Sequence, residues 1–593
     1  MTPLNGSLFE TFVNFACDTA SCSKSLGRSL GKDIYMKSVM KHLFSQIPKA
    51  QISRSVFDRS HGWKSTFDSG YLIPFLVDEV LPGDSYKVKF NFLARLSTPI
   101  VPTMDNLFLD TFYFFVPYRL LWKHWEQFNG QQDFPGASTD YLVPQTTAPA
   151  DKGFEVGSLE DYFGLPTGIK GIKANELAAR AYALIWNEWF RDENLQNPIN
   201  LSTYAEIATA SGLDDVGLGD AGFIGQHKVL RRGKRHDYFT SALPWPQKGP
   251  GVEIGLAGSA PISGTSSIDA YSLSIPHDSS YGDSDYHWKT SSFTGIFGSN
   301  VTGTTKGGSG GSVPNASATK TGSVAVPFTG TADLSLTSAA TINSLRQAFQ
   351  IQKLYERDAR GGTRYTEILR SHFGVISPDS RLQRPEYLGG SESPVIINPV
   401  VQNSATGLTG AETPQGNLAA YGIASSTSAK HGFTKSFVEH GIIIGLLNVR
   451  ADLTYQQGIP RMFSRRTRFD FYWPVLAHLG EQAILNKEIY AQGTDKDDEV
   501  FGYQERYAEY RYFPSMITGK LRSTYAQSLD VWHLSQKFDN LPTLSAQFIQ
   551  DNPPVERILA VQDEPQFIID SYIDMKCARP MPVYGVPGLV DHF

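Results

Sequence analysis

The sequence predicts an all-β protein whose strands carry long loops and several helices. Of its 593 residues, 53 are Gly and 34 are Pro, residue types that interrupt regular elements and favour turns. Aromatic residues make up 12% and charged residues only 19%, a profile that favours strands over a helical bundle. The chain is also longer than one ordinary core allows, so we expect several domains or one domain with large insertions.

Two consecutive segments carry the clearest strand signal. Apolar residues alternate with Lys, Asn and Arg from Tyr86 to Leu96, which predicts a strand with one exposed face. The next segment, from Leu107 to Val116, is apolar on both faces until Pro117 ends it. We expect this strand to be buried on both faces or to lie beneath a neighbouring subunit, because an exposed apolar edge would aggregate.

Helical periodicity appears at four places. It occurs at residues 121–128 before Asn129-Gly130, and again in ELAARAYALIWNEWF at residues 176–190. A third helix is expected in TINSLRQAFQIQKLYERDARGG at residues 341–362, where the paired glycines would end it, and a fourth around HLGEQAILNKEIY at residues 478–490. Helices are therefore expected to decorate a body of strands.

Composition divides the chain into an arm, a body and an insertion. Residues 1–50 form a mildly basic N-terminal arm, and residues 51–247 together with 341–593 form the body with its helical insertions. Residues 248–340 are rich in Gly, Ser and Thr and poor in charge, which indicates a large surface insertion. A second stretch, from about 389 to 429, has the same polar character.

Charge, hydropathy and cysteine content disfavour several classes of protein. The net charge of −6 disfavours a chain-wide nucleic-acid binder, and the apolar run from Gly441 to Leu447 is far too short to span a membrane. The first residues lack the basic start and continuous apolar stretch of a secretory signal. Cys17 and Cys22 lack a second pair with which to bind a metal. We expect no membrane insertion, cofactor or metal.

No motif carries a convincing enzyme signature. GLGDAG, from Gly217 to Gly222, fits a dinucleotide-binding pattern but follows an acidic loop without a surrounding strand-turn-helix unit. GGSGG around Ser309 lies in low complexity rather than at a strained strand-to-helix turn. Glu188 and Asp192 share a helical face, where a solvated pair is the simpler interpretation. We therefore predict that the protein is not an enzyme.

Two basic clusters are candidate contact sites. The first, HKVLRRGKRH, spans His227 to His236, and the second, RMFSRRTRFDFYW, spans Arg461 to Trp473. Cations beside aromatic rings bind single-stranded nucleic acid, whereas Arg is also enriched at protein interfaces. The sequence leaves DNA contact and intersubunit contact equally open for the basic residues Lys228, Arg231, Arg232, Lys234, Arg235, Arg461, Arg465, Arg466 and Arg468.

Long segments spread along the chain share one family likeness. They include SRSVFDRSHGWKSTFDSGYLIPFLVDEVLPGDSYKVKF, TPIVPTMDNLFLDTFYFFVPYRLLW, RGKRHDYFTSALPWPQKG, ERDARGGTRYTEILRSHFGV and RPMPVYGVPGLVDHF. Together they resemble the major capsid protein of gokushoviruses, small single-stranded DNA phages of the Microviridae. The resemblance runs roughly from Met36 to Phe593 and fails mainly in the two polar stretches. Residues before Met36 have no counterpart, which suggests an upstream start codon that the intact mass of virion protein would test.

The resemblance implies a single eight-stranded antiparallel jelly roll with long loop insertions. It implies a structural protein that assembles in the bacterial host cytoplasm into the T=1 icosahedral shell of a virion, around a circular single-stranded DNA genome. Its implied partners are further copies of itself, an internal scaffolding protein, a minor pilot protein and a small basic DNA-binding protein. That basic protein would explain why the shell protein is mildly acidic.

The insertion at residues 248–340 matches in position the family's protrusion at the threefold axes, which is thought to engage a host surface receptor. Its candidate receptor contacts are Tyr281, Tyr286, His287 and Trp288. The alternative is that these rings pack locally within the loop.

Two other functions compete with the capsid prediction. A carbohydrate-active enzyme or lectin is the main alternative, because jelly rolls also carry those functions. A secreted adhesin is suggested by the Ser/Thr-rich stretches and the glycosylation sequons at Asn300 and Asn315, but the missing export signal disfavours it.

Overall fold

The fold is mostly antiparallel β-sheet with some helices, as the sequence predicts. The computed structural model describes residues 52–201, 213–215, 228–251, 259–274, 294–296, 317–333, 342–401, 403, 416, 418–426 and 430–584. Within these ranges the strands are β1 (Ser55–Asp58), β2 (His61–Phe67), β3 (Ile73–Val80), β4 (Ser85–Leu96), β5 (Leu107–Pro117), β6 (Gln145–Thr147), β7 (Lys173–Asn175), β8 (Ile199–Leu201), β9 (Leu213–Asp215), β10 (Ser259–Ser274), β11 (Thr294–Ile296), β12 (Ser317–Asp333), β13 (Glu386–Pro394), β14 (Ile396–Val401), β15 (Leu418–Ser425), β16 (Gly432–Ser436), β17 (Gly441–Ala451), β18 (Glu481–Leu485), β19 (Val500–Glu505) and β20 (Phe567–Arg579).

Helices are short apart from one. They are α1 (Tyr118–Leu121), α2 (Trp125–Phe128), α3 (Leu159–Tyr162), α4 (Leu177–Ile185), α5 (Ile342–Gly361), α6 (Tyr365–Phe373), α7 (Asn486–Ile489) and α8 (Ala546–Ile549). A π-helical turn, Trp186–Phe190, continues α4. The helices predicted at residues 176–190 and 341–362 are thus present with shifted bounds, whereas residues 121–128 contain the end of α1 and all of α2 with a non-helical break between them.

Two antiparallel sheets form the body. The larger sheet has the order β1-β20-β4-β15-β14, with β2 also pairing with β20 and β16 also pairing with β4. The smaller sheet has the order β13-β5-β17-β3. Strands that are distant in sequence are therefore neighbours in space, since β20 near the end of the chain pairs along most of β4.

The main core lies between these two sheets. In β4 every second residue is buried, which confirms the predicted half-exposed strand. Phe90 of β4 stacks on Phe75 of β3 with ring centroids 4.2 Å apart, and Tyr113 of β5 meets Phe75 edge-on at 5.6 Å. The contact between Phe90 and Phe75 joins the inner faces of the two sheets, whereas Tyr113 and Phe75 pack together on the inner face of the smaller sheet.

The opposite face of β5 is also covered, which confirms its predicted two-sided burial. Phe114 packs against Trp189, Phe190 and Tyr387, with ring centroids 5.4, 5.9 and 5.5 Å away. Residues of α4 complete this second core. The aromatic run is therefore buried within one subunit, by the opposing sheet on one side and by a helical layer on the other.

The helix predicted at residues 478–490 was mostly wrong. Residues Glu481–Leu485 form β18, which pairs with β19, and only Asn486–Ile489 are helical. Ile484 and Ile489 enter a small core with Phe501 of β19. Pairing with a strand that follows in sequence overrides a weak helical pattern, because few apolar residues in this segment define a period.

The Gly/Ser/Thr-rich insertion contains regular structure that its composition did not indicate. Strands β10 and β12 pair antiparallel from Ser259↔Asp333 to Ser274↔Ser317, and β11 adds a third strand. The sequences of β10 and β12 mix Ser, Thr and Gly on both faces, so no alternation of apolar and polar residues predicts these strands.

His431 gives the body a defined response to acid. The ring is 1% exposed and hydrogen bonds Thr111 and Ser393, each at 2.8 Å. Burial lowers its pKa from 6.5 to about 4, although the nearby Asp110 opposes this shift. The His431 side chain is therefore protonated below about pH 6.5 in the unfolded chain but only below about pH 4 in the folded chain.

We predict that the free energy of unfolding falls by up to about 3 kcal/mol between pH 6.5 and pH 4 because of this one group. Urea unfolding of unassembled subunits at several pH values measures the fall. His431→Gln should be less stable at pH 7 but lose this part of the pH dependence. An unchanged slope in the variant would contradict the assignment.

Candidate functional site

The first basic cluster lies against the body rather than projecting from it. Its backbone is held from both sides, since Arg232 N donates to Gly70 O at 2.9 Å and Lys234 N donates to Ile549 O at 2.8 Å. Tyr71 and Arg231 also form an isolated β-bridge. These backbone contacts hold the cluster against the body.

Arg231 is used within the subunit. Its guanidinium donates to the backbone carbonyl oxygen of Asp551, to Asn552 Oδ1 and to Tyr71 Oη, all at 3.0 Å. It also lies over the Tyr71 ring, 4.1 Å from the centroid. These contacts join two loops that are 480 residues apart along the chain, from Tyr71 to Asp551, so the residue holds the fold together.

Arg232 and Arg450 share one buried carboxylate. Asp110 of β5 accepts a short charged contact from Arg232, and its Oδ2 lies 3.0 Å from Arg450 Nε. Arg232 also covers the Phe112 ring at 4.7 Å. Burial, together with the neighbouring Arg232, lowers the pKa of Arg450 to about 10. The single carboxylate of Asp110 is thus paired with two guanidinium groups.

Arg235 extends the same network outward. It pairs with Glu392 at 2.6 Å and with Asp452 at 3.2 Å, and its guanidinium lies 4.7 Å from the centre of the Phe108 ring. The outward-facing rings of β5 are therefore covered partly by arginine, which combines planar stacking with ion pairing.

Lys234 is a half-buried cation of the cluster. It donates to Gln536 Oε1 at 3.0 Å and lies 4.2 Å from the centre of the Phe548 ring. Burial lowers its pKa to about 8, and burial raises the pKa of Asp551 to about 7 despite the surrounding cations. Asp551 is buried and Lys234 is half-buried, and the carboxyl group of Asp551 lies among Lys234, Arg231 and Arg232. Lys228 lies at the exposed start of the cluster and has interactions of its own.

A cavity of about 960 Å³ opens beside this cluster. Its walls combine arginines with aromatic rings and are formed by β5, the π-helical turn, α5, α6 and the first cluster; they include Phe112, Phe190, Arg232, Arg235, Arg360, Arg364, Tyr387 and Arg450. Carboxylates of the same subunit largely balance the positive charge of these cavity arginines, because Arg360 pairs with Glu481 and Arg364 pairs with Glu193 and Glu367.

The second cluster divides into paired and exposed members. Arg461 contacts Glu488 at 2.8 Å, and Arg465 contacts Glu509 at 3.3 Å while lying 4.2 Å from the centre of the Tyr510 ring. These two arginines anchor the segment to the body. The structure thus assigns them contacts that the sequence could not reveal, since their partners lie 27 and 44 residues further on.

Arg466 and Arg468 lie on the surface. Both residues are exposed, and Arg468 stacks over Trp473 with its guanidinium carbon 4.5 Å from the ring centroid. Trp473 Nε1 in turn donates to the backbone carbonyl of Arg468 at 3.0 Å. The second cluster therefore presents cations and rings side by side, as its sequence suggested.

The candidate receptor contacts Tyr281, Tyr286, His287 and Trp288 lie outside the described residues. In the described ranges, no group of three or more His, Cys, Asp or Glu side chains is arranged to hold a metal ion. None of the helices described combines the length and apolar composition needed to cross a membrane.

Comparison with known proteins gives a consistent result. Residues 45–589 match the model of the family described as "Capsid protein (F protein)". The chain is similar to capsid protein VP1 of Chlamydia phage 1, with 48% identity over 94% of this chain and 100% of the relative. It is 47% identical to capsid protein VP1 of Bdellovibrio phage phiMH2K, over 93% of this chain and 98% of the relative.

A more divergent relative agrees. Capsid protein VP1 of Spiroplasma virus 4 is 37% identical, over 92% of this chain and 97% of the relative. These relatives are structural proteins rather than enzymes, and the family forms oligomeric shells. The chain therefore belongs to the phage capsid protein (F protein) family and is a structural major capsid protein, as its resemblance to the gokushovirus proteins of the Microviridae predicts.

Proposed function

We propose that this protein forms a T=1 icosahedral shell around a circular single-stranded DNA genome, and that its body is a single eight-stranded jelly roll. The shell is supported by the match to the capsid protein family, and the jelly roll by the strand order of the two sheets. If β1 with β2 counts as one interrupted strand, and β15 with β16 as another, each sheet has four principal strands. Strand β14 is then an addition at one edge.

The chain order of these strands supports the jelly roll. In chain order, the interrupted strand β1/β2 lies in the larger sheet, β3 in the smaller and β4 in the larger. Strands β5 and β13 lie in the smaller sheet, β15/β16 in the larger, β17 in the smaller and β20 in the larger. The long connection between β5 and β13 carries α1 to α6 and the insertion, and the two strands still pair antiparallel across it. A jelly roll built of two Greek keys accommodates such insertions in its loops.

Shell formation is geometric rather than chemical. Each copy repeats the same heterologous contacts, and closed symmetry ends the growth. We propose assembly in the bacterial host cytoplasm with the phage's internal scaffolding protein and minor pilot protein. The small basic DNA-binding protein supplies positive charge that this chain, at a net charge of −6, does not provide.

Co-expression with the phage's scaffolding protein, followed by electron microscopy, tests this proposal. We expect uniform closed shells whose reconstruction has icosahedral symmetry with one chain per asymmetric unit. Well-folded monomers under these conditions would contradict the proposed shell.

We also propose that the insertion at residues 248–340 protrudes at the threefold axes and contacts the host receptor. The pairing of Ser259 with Asp333 supports an independent module, because paired strand ends lie only about 5 Å apart and can be joined by a short turn. Receptor contact would involve Tyr281, Tyr286, His287 and Trp288.

Replacing residues 260–332 with Gly-Gly should therefore leave shell yield unchanged and reduce adsorption to host cells at least tenfold. Adsorption of purified particles measures this. Alanine at the four aromatic and histidine positions is the narrower variant; normal adsorption with that variant would restrict the contact to other residues of the insertion. Normal adsorption without the insertion would refute attachment through it.

A further inference from the structure

Two segments of the described body expose a set of large apolar side chains. It is formed by the exposed apolar side chains of residues 462–479 and 510–516, among them Phe463 at 71%, Val475 at 89% and Phe513 at 72% exposure. Met462, Phe469, Phe471, Tyr472, Trp473, Leu479, Tyr510 and Met516 are exposed as well. We call this set the aromatic surface.

Ring contacts join the two segments. Tyr472 of the first segment meets Tyr507 edge-on at 5.2 Å and Tyr510 at 6.0 Å. Arg465 stacks between the two segments, 4.2 Å from the Tyr510 ring and 5.7 Å from the Phe471 ring. Phe471, Tyr472, Tyr510 and Arg465 therefore form a packed link between the two segments.

A groove extends the aromatic surface toward α5. Its volume is about 1080 Å³, and its lining includes Phe349, Tyr472, Leu479 and Arg506. Phe349 of α5 is itself 62% exposed. An exposed apolar patch of this extent marks an interaction site in a soluble protein, since isolated subunits rarely leave so many large apolar side chains together in water.

The local charge argues against a polyanion as the occupant. Between Arg461 and Phe513 the sequence has eight Lys or Arg and nine Asp or Glu residues. Surfaces that hold single-stranded nucleic acid combine stacking rings with an excess of positive charge. Here the apolar contacts also include aliphatic Met462, Val475 and Leu479, which offer no face for base stacking.

The composition fits a second copy of this chain. Aromatic residues, Met and Arg are the types enriched at protein interfaces, and near-neutral charge avoids repulsion between identical subunits. The family assembles shells of repeated copies, so a neighbouring copy is the protein surface always present in the assembled state. Heterologous contacts place a different patch of the neighbour on this surface.

We propose that the aromatic surface is an intersubunit contact of the shell, covered by a second copy of the chain. This inference rests on the proposed assembly and identifies one of its contacts. It assigns the exposed arginines Arg466 and Arg468 to the rim of a protein interface rather than to DNA.

The test uses Val475→Asp with Phe513→Asp, paired with the control Val475→Ile with Phe513→Leu. Both acidic substitutions are at exposed positions, so circular dichroism and thermal unfolding of the subunit should match those of the wild type. We expect the acidic variant to lose closed shells at least tenfold in co-expression with the scaffolding protein, while the control assembles normally. Normal shell yield from the acidic variant would overturn the inference.

A second measurement avoids substitution. Hydroxyl-radical footprinting should find Phe463, Phe469 and Phe513 protected in intact wild-type particles and equally protected in DNA-free shells, relative to unassembled subunits. Protection only in DNA-filled particles would overturn the inference in favour of nucleic acid. Labelling equal to that of free subunits in both particles would overturn it altogether.

Replacing Arg466 and Arg468 with Gln separates the two occupants further. At an interface rim, shell yield or shell stability in salt should fall several-fold while the DNA content per shell stays constant. Normal shells with reduced DNA content would overturn the assignment of these arginines. If wild-type protein forms no shells at all, the proposed assembly itself fails, which is distinct from normal assembly by the acidic variant.

Discussion

Asp110→Asn should lower the free energy of unfolding of the subunit by about 3–5 kcal/mol, the cost of leaving buried cations without their anion. The substitution keeps the size and shape of the side chain. It removes the charge that Arg232 and Arg450 share beside β5, where Asp110 is only 3% exposed. Glu392 cannot replace it, because it lies 3.9 Å from Arg450 and is also used by Arg235.

Urea unfolding of unassembled subunits measures the effect. Asp570→Asn is the matched control, since Asp570 lies on a strand of the larger sheet and forms an exposed 3.8 Å contact with Lys64. Exposed ion pairs contribute little to stability, so we expect the control to change the free energy of unfolding by no more than about 0.5 kcal/mol. Adding Arg450→Met to the Asp110→Asn variant should recover part of the lost free energy of unfolding. Equal effects of the two Asn substitutions would contradict the role of Asp110.

Glu176→Gln is expected to have an effect of similar size, about 3–5 kcal/mol, because it breaks a fully buried ion pair. Arg180 of α4 is 0% exposed and contacts Glu176 Oε2 at 2.8 and 3.1 Å. The guanidinium also donates to the backbone carbonyl of Leu121, which ties α4 to the end of α1. Loss of this pair should loosen the helical layer that covers β5.

The same unfolding assay distinguishes this pair from a surface pair. Glu155→Gln breaks the exposed contact between Lys152 and Glu155, and we expect it to leave the free energy of unfolding almost unchanged. Replacing Glu176 with Leu and Arg180 with Met together should recover most of the stability, since a well-packed apolar pair avoids the desolvation of both charges. A Glu176→Gln variant as stable as the wild type would refute the expected cost.

The sequence predicted those elements whose periodicity is local. The alternation from Tyr86 to Leu96 matches the burial of β4 residue by residue, and both faces of β5 are buried as expected. Gly361-Gly362 ends α5 where the sequence predicted. In each case one short pattern, read along a single segment, determined the result.

Contacts across the chain could not be predicted in this way. The partners of the first cluster, Asp110, Glu392 and Asp452, lie more than 100 residues away from it in sequence. The sequence offered DNA or a neighbouring subunit for these arginines, whereas the structure adds a third contact, carboxylates of the same subunit. Strand β18 was missed for a different reason: its partner β19 follows closely in sequence, but few apolar residues in the segment define a period.

The mass of assembled, DNA-free shells tests the central claim most directly. A T=1 shell contains about 60 copies, so with a chain mass of 65.5 kDa charge-detection mass spectrometry should give one narrow peak near 3.9 MDa. Such a peak, before any minor component is added, supports a closed shell with a single copy per asymmetric unit. A monomer peak alone, or a broad distribution of open assemblies, would contradict the account.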